Sequence, residues 1–389
     1  MKRKISLAVL VAMLLIFTSA CSVGKGGTSA KEIVIGSIQD LSGPGSVYGN
    51  SMQRGAELAV EEINAKGGIN GKKIKLVPYD IKGSTEQAIT SYERLANVDK
   101  AVAIVGPPLS NVGLACIPIS NSTKVPIVGG FGLIPCLVDE NGDPNPYMFL
   151  AQASASYTGS VTAEYAMKEL GHKSFAILVR QDHAWELEAA NHFIKYVEDN
   201  GGTITTKQFC TVNDKNYNVQ ITKMIESNPD MLSSWLSSDG QVVFVQQLNQ
   251  IGSTLPIAGS NDLAAPFATM LPDPKIANDI YFAGTMDLDD PAVQSIREAY
   301  KKKFNEEPDQ KSYIGYDEVN IIAQAIIKNG NKADSASIRD SLEKNTVDFQ
   351  GAQGTFTIDA KTHMPTGLSL IMTKIENGEY VKLTKYSKD

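Results

Sequence analysis

Residues 33–80 read IVIGSIQDLSGPGSVYGNSMQRGAELAVEEINAKGGINGKKIKLVPYD. The opening Ile33-Val34-Ile35-Gly36-Ser37-Ile38 is a short apolar run followed by turn formers, the pattern of a buried strand. From Tyr48 to Lys66 the period changes. Met52, Ala56, Ala59 and Ile63 recur at three- and four-residue spacing, which is one face of a helix. Lys73 to Tyr79 then alternates as a second strand. Strand, helix and strand in one short stretch make a βαβ unit, and such a unit sets its strands parallel.

The same alternation continues outward. Ser84 with Gln87 forms a capping box for a helix through Ala96. A strand at Ala101–Val105, a helix from Ser110 to about Ser122 and a strand at Val125–Val128 follow. The pattern then restarts, with strands at Ser174–Val179, Thr203–Phe209, Met231–Trp235 and Pro256–Ala258. Between and after them, helices are expected at Trp185–Asp199, Val219–Glu226 and Gly240–Ile251. Two doubly wound, parallel-sheet α/β lobes of similar build are therefore expected. After Ile280–Ala283, helices at Pro291–Phe304, Ser312–Lys328 and Ser335–Glu343 precede strands at Thr355–Ile358, Leu368–Lys374 and Tyr380–Leu383. This tail is too small for a third core, so it should complete the other two. The expected lobes are residues 30–151 with 285–352, and 152–284 with 353–389. Chain crossings between them would leave a hinge beside a cleft.

The 389 residues suffice for two such lobes, and 20 % charged with 7 % aromatic residues excludes a disordered chain. Lys2, Arg3 and Lys4 precede an apolar run from Ile5 to Phe17 broken only by Ser6, the pattern of an export signal over residues 1–20. Ala20-Cys21 resembles a bacterial lipobox, although Thr18 stands where Leu is commoner; lipidation at Cys21 and plain secretion after Ala20 are the two readings. Residues 21–29 read as a flexible tether. Without the three leader charges the formal charge is more negative than the −7 of the whole sequence. Such a surface repels phosphate backbones, which disfavours nucleic acid as a partner.

The residues of catalysis are sparse. His172, His183, His192 and His363 have no metal-ligand spacing, and no nucleophile elbow or phosphate loop is present. Gly43-Pro44-Gly45 tempts a dinucleotide reading, but Pro44 removes an N–H that a pyrophosphate needs. The Asp139–Asp143 cluster lacks the later glutamate of a calcium loop. No cofactor or metal is expected, and an enzyme is disfavoured. Cys116, Cys136 and Cys210 remain after Cys21; a Cys116–Cys136 disulfide and free buried thiols are both open.

The 33–80 stretch also resembles the opening of branched-chain-amino-acid-type substrate-binding proteins of ABC importers. The resemblance rests on Leu41-Ser42-Gly43-Pro44, Tyr48-Gly49, Gly55 through Ala59 and Asn64 through Gly71. It continues in Gly106 through Ser110, Val125-Pro126-Ile127, Asp182-His183-Ala184-Trp185 and Tyr316-Asp317. It implies a type I periplasmic-binding-protein fold, with three hinge crossovers and a ligand trapped as the lobes close. The implied partners are a small-molecule ligand and a membrane permease with its ATPase; the receptor itself is expected to be an extracytoplasmic, lipid-anchored monomer.

By the same resemblance, the Ser110 hydroxyl and Asn111 amide hold a ligand carboxylate. A helix start attracts anions for physical reasons as well, and an ordinary cap is the alternative. Tyr48, Trp185 and Tyr316 fall on family positions, the first two on cleft aromatics. Trp185 lies in a turn of the Asp-x-Ala-Tyr-Gly type. The departures bear on the ligand. Phe131, Gly132 and Leu133 replace a Ser/Thr-rich loop and are expected to make the pocket more apolar. Ser237 falls near a cleft tyrosine, and Asn261 near the acid that pairs with a ligand ammonium, with Asp262 one place later. An amino acid is the expected ligand, with an aromatic carboxylate or small amide as the rival. A ligand-presenting sensor is the rival function.

Overall fold

The computed structural model describes residues 32–387. The expected signal segment, tether and Cys21 lie outside the described residues. The first run folds as β1 (Ile33–Gln39), α1 (Ser46–Ala65), β2 (Ile74–Asp80), α2 (Thr85–Asn97), β3 (Ala103–Val105), α3 (Ser110–Thr123), β4 (Ile127–Gly129), α4 (Ile134–Leu137) and β5 (Met148–Leu150). Its sheet is wholly parallel, in the order β2-β1-β3-β4-β5. The second run comprises α5 (Ala155–Lys168), β6 (Ser174–Arg180), α6 (Ala184–Asp199), β7 (Thr203–Cys210), α7 (Asn218–Glu226), β8 (Met231–Trp235), α8 (Ser238–Ile251), β9 (Ile257–Gly259) and β10 (Ile280–Gly284). The remainder is α9 (Pro291–Phe304), α10 (Gln310–Lys328), α11 (Ser335–Asn345), β11 (Phe349–Gly351), β12 (Gly354–Ile358), β13 (Pro365–Thr366), β14 (Ser369–Glu376) and β15 (Glu379–Ser387). The second sheet runs β15-β14-β10-β9-β8-β6-β7, parallel except where β14 and β15 join it.

Each sheet is covered on both faces. Ala103 and Val105 of β3 pack beneath Met52 and Ala56 of α1 and Ile314 of α10. Ile104, facing the other way, meets Tyr92 and Leu95 of α2 and Cys116 of α3. This alternation follows from the two-residue period of a strand. The expected Ser84 cap is present, its hydroxyl accepting the Gln87 N–H at 3.3 Å. In the second lobe α5 and α6 lie together on one face, while α7 and α8 cover the cluster around Leu178, Leu232 and Phe244.

The tail divides differently from the expected assignment of residues 353–389 to lobe two. β12 pairs with β11, and the His363 carbonyl accepts the Leu150 N–H of β5 at 3.1 Å. The His363 ring donates from Nδ1 to the Met148 carbonyl at 2.9 Å and stacks on Phe149 at 4.2 Å. Residues 353–366 therefore cover the open edge of the first sheet, and the chain rejoins the second only at β14. An uncovered edge strand leaves backbone groups unpaired, which is the physical reason for the detour. The chain accordingly passes between the sheets near Gln152, Thr285 and Gly367. Thr285, Gln353 and Gly367 line one hollow of about 220 Å³. Gln353 ties two of the passages, donating to the Ala151 carbonyl at 2.6 Å and accepting from Thr285 Oγ1 at 3.1 Å.

Candidate functional site

In a doubly wound sheet, ligands bind beyond the carboxyl ends of the strands where strand order reverses. Both sheets reverse in the same way, between β1 and β3 and between β6 and β8. The first helical turns that follow three of those strands carry Tyr48, Ser110 and Trp185, and Ser237 holds the cap position of the helix after the fourth. The structure brings the two sets face to face. Tyr48 Oη donates to Asp262 Oδ2 at 3.4 Å, and its ring lies 6.3 Å from that of His183.

On lobe one, α3 begins at Ser110, with Leu109 rather than Ser110 in the cap position and no side-chain cap. The first amide with an intrahelical partner is Gly113, bonded to the Leu109 carbonyl at 3.0 Å. The amides of Ser110, Asn111 and Val112 thus belong to the open end of the helix. The Ser110 hydroxyl is buried, 4 % exposed, and its Oγ has no partner among the described residues. The Asn111 side chain is exposed, so its amide is what it offers the cleft.

On lobe two, Trp185 lies in the first turn of α6, with its indole Nε1–H buried and unpartnered. It packs on Gly132 of the opposite lobe, where a Cβ would come within 2.5 Å of that nitrogen. The Lys311 ammonium, at the start of α10, lies 5.5 Å from the Tyr48 ring centroid and 6.0 Å from that of Trp185. Glu186 is completely buried and neither carboxyl oxygen has a partner with a hydrogen to give. Burial and the neighbouring Asp262 push its pKa well up, and burial raises Asp262 too. Burial, Arg180 and Lys311 hold His183 down at about 3, so its imidazole is neutral. Asn261 and Asp262 line a hollow of about 100 Å³ with Tyr48 and Lys311.

Ser237 plays a bracing part. Its hydroxyl accepts from Arg180 Nη1 at 3.0 Å and donates to Asp239 Oδ1 at 2.7 Å, while Arg180 pairs with Asp182 at 2.9 Å. Three expected site residues lie elsewhere. Phe131 is fully buried beneath α3, against Gly113 and Gly129, and Leu133 joins the same lobe-one core. A Cβ at either glycine would overlap Phe131, so the two glycines make room for its ring inside the lobe rather than in the cleft. Tyr316 faces α1, donating to Glu62 Oε2 at 2.7 Å; five residues beyond Lys311, it lies on another side of α10. Glu186, Lys311, Arg180 and Ser238 are the neighbours that the sequence reading missed. Cys116, Cys136 and Cys210 are buried thiols, each pushed by burial to about 12.

Gly132 sets a test of closure. Gly132→Leu is expected to leave the thermal midpoint within a few degrees, because its closest clash is with Trp185 of the other lobe and its next, at 3.2 Å, is with the flexible end of Gln152. It should hold the lobes apart, lowering affinity for any cleft ligand at least tenfold. Scattering with and without ligand, together with calorimetry, reads both effects. Full compaction and parental affinity would show that the Gly132–Trp185 contact does not limit closure.

A periplasmic binding protein family model matches residues 32–379. The chain belongs to this family of solute-binding proteins, whose members in ABC importers work outside the cytoplasmic membrane. It has the type I periplasmic-binding-protein fold. It is similar to Leu/Ile/Val-binding protein homolog 7 of Brucella abortus, 28 % identical over 353 residues and covering 86 % of each chain. It is also similar to the branched-chain amino acid transporter substrate-binding protein LivJ of Streptococcus pneumoniae, solved with isoleucine. That likeness has a TM-score of 0.80 at 27 % identity, over 91 % of this chain and 100 % of the other. A Rhodopseudomonas palustris solute-binding protein, solved with 3,4-dihydroxybenzoic acid, shares the fold at a TM-score of 0.81 and 20 % identity, over 92 % and 97 % of the chains.

Proposed function

We propose that this protein is the extracytoplasmic receptor of an ABC importer, anchored through lipid at Cys21. It traps a small carboxylate-bearing solute, an amino acid, and presents it to a membrane permease. One observation carries the ligand reading. Buried polar groups from both lobes face the cleft: Ser110 Oγ and Trp185 Nε1 have no partner, and the Glu186 carboxyl has none beyond that of Asp262. Buried polar groups are ordinarily bonded, so this constellation is built for a guest. A helix start with an unspent hydroxyl suits a carboxylate, and the Tyr48 and Trp185 rings suit an apolar body. Nothing in this arrangement activates a nucleophile, so the protein is read as a receptor rather than an enzyme. A second reading is an aromatic carboxylate, favoured by the two rings, by Asn261 near where the family's acid falls, and by the dihydroxybenzoate-bound relative.

Ser110→Ala tests the carboxylate seat. A hydrogen bond to a charged group contributes about 1.5–3 kcal/mol, so affinity should fall at least tenfold while the thermal midpoint of the empty protein holds. Thermal shift against amino acids and aromatic carboxylates, then calorimetry on the best binder, measures this. Unchanged affinity in Ser110→Ala would remove the hydroxyl from the site.

A further inference from the structure

We propose that Glu186 and Asp262 form a two-carboxylate seat for a positively charged nitrogen on the ligand, filled in exchange for one proton that the empty pair holds. The proposal rests on the receptor reading only in that the guest enters the cleft. It starts from a displacement of charge. By the resemblance the family's acid falls near Asn261, with Asp262 one place later, so the anion expected in the site is displaced. Glu186 follows Trp185 where the Asp-x-Ala-Tyr-Gly turn has glycine, and it restores an acid on the same lobe.

The geometry directs that acid at Asp262. The two carboxyl groups lie within hydrogen-bonding reach of each other, although a bond between them requires a proton on one. Asp262 is steadied by Ser238 Oγ at 3.2 Å and by Tyr48 Oη at 3.4 Å from the opposite lobe. A glutamate three residues after a cap commonly turns back to the cap's own amide. Glu186 does not, and beyond the Asp262 carboxyl its oxygens meet no hydrogen-bond partner. The neighbouring indole nitrogen of Trp185 is likewise unspent, an independent sign that a guest belongs beside the pair.

The surrounding cations only partly compensate the pair: Lys311 and Arg180 favour its ionised form, but burial outweighs them. Arg180 is committed to Asp182 and Ser237. Lys311 sits over the two aromatic rings, with no carboxylate within ion-pairing distance among the described residues. Asp239 bonds to Ser237 and faces Lys215 at 3.7 Å, and Asp309 caps α10 while accepting from Ser51 at 2.7 Å. His183 and Tyr48 are neutral near pH 7. Two ionised carboxylates cannot be left together in so buried a place, and burial raises both. The empty pair therefore keeps one proton. A guest ammonium or guanidinium brings its own N–H donors; the shared proton leaves to water, and both carboxylates become acceptors. Affinity for such a guest rises with pH, because protons compete for the same seat.

Two measurements decide this, and the first needs no ligand. Carbon-13 NMR of glutamate-carboxyl-labelled protein should show one carboxyl titrating far above the ordinary range, absent in Glu186→Gln. Titration of Glu186 in the ordinary carboxylate range overturns the proposal whatever the ligand. The second is calorimetry with L-leucine and its deaminated twin 4-methylpentanoate near pH 7, in buffers of different protonation enthalpy. Leucine should bind with release of about one proton, and at least tenfold more weakly in Glu186→Gln. Asp262→Asn is the substitute variant if Glu186→Gln does not fold. Equal binding of the two probes without proton exchange overturns the seat but keeps the receptor reading. If neither probe binds, the small-amino-acid reading falls and the NMR titration alone decides the pair.

Discussion

Gly315→Ala should destabilise lobe one by at least ~2 kcal/mol, although alanine favours helix over glycine by about 1 kcal/mol. The opposite signs make the result decisive. α10 crosses α1 so closely that a Cβ on Gly315 would overlap the Met52 carbonyl, and one on Gly55 would overlap that of Ser312. The contact is reciprocal, glycine to backbone in both directions. Backbone atoms in two hydrogen-bonded helices cannot turn aside as a flexible side chain does, so the helices must separate. Separation opens the cluster of Met52, Ala56, Ile314 and Val319 above the first sheet. Gly315→Val enlarges the effect to about 4 kcal/mol or more, a large share of a marginal folding free energy. Urea unfolding followed by tryptophan fluorescence and circular dichroism measures it. A gain in stability for Gly315→Ala would mean that helix propensity decides and the crossing yields.

That crossing was only half legible in the sequence. The Met52, Ala56 and Ala59 stripe announces a helix with a buried face, and the alternating strands announce parallel sheets. The two lobes follow from those periods because burial on both faces of a sheet enforces them. Other elements carry no such period. α5 buries mostly small residues, Ala155, Thr158, Gly159, Thr162, Ala163 and Ala166, with Val161 and Tyr165 the only large apolar members of that buried set, and so shows no clear stripe. β5 is three residues long, too short to show alternation. Residues 353–366 turned to the first lobe because its edge needed covering, which is a tertiary demand that no local pattern records.

The site was legible where topology dictates it. Tyr48, Ser110 and Trp185 stand at strand ends beside a reversal of strand order, and the structure brings them to one cleft. Phe131 and Leu133 were misread because an apolar loop residue beside a cleft has two choices, cleft or core. The glycines at positions 113 and 129 decide for the core, and they become neighbours only in three dimensions. Glu186 was concealed by its setting. In Asp182-His183-Ala184-Trp185-Glu186 a glutamate three residues after the cap reads as an ordinary helix start, and only its lack of a partner beyond Asp262 distinguishes it. Lys311, on a segment distant in sequence, reaches the two rings only after the chain has returned to lobe one.

Asp317→Ala should cost about 3–5 kcal/mol, because Asp317 holds the segment that ties two hinge passages together. Its carboxyl is fully buried, accepting Ala352 N–H at 2.7 Å, Gln353 N–H at 3.1 Å and Gln353 Nε2 at 3.2 Å. Gln353 in turn reaches Ala151 and Thr285 on the two passages. Truncation leaves two buried backbone amides without acceptors and frees Gln353 to swing. The pH dependence follows from the charge. Burial pushes Asp317 up to about 7, outweighing the hydrogen bonds that favour its ionised form. A folded pKa above the unfolded value means that the folded state binds the extra proton. The stabilisation is complete below the unfolded pKa, near 4, and is lost as pH rises through about 7. Neighbouring Glu318 is raised well above the usual range, by burial first and by the Asp317 charge as well. Asp317→Asn lacks the titration but leaves one donor facing an amide nitrogen, so it is destabilised in acid and loses less as pH rises. The stability difference between parent and Asp317→Asn should therefore shrink by up to about 1.4 kcal/mol per pH unit between pH 5 and 7. Denaturant melts of both proteins across that range give the difference directly, cancelling groups that titrate in both. A difference that widens with pH would mean that the ionised carboxylate is the form the hinge prefers, and that its three donors outweigh burial.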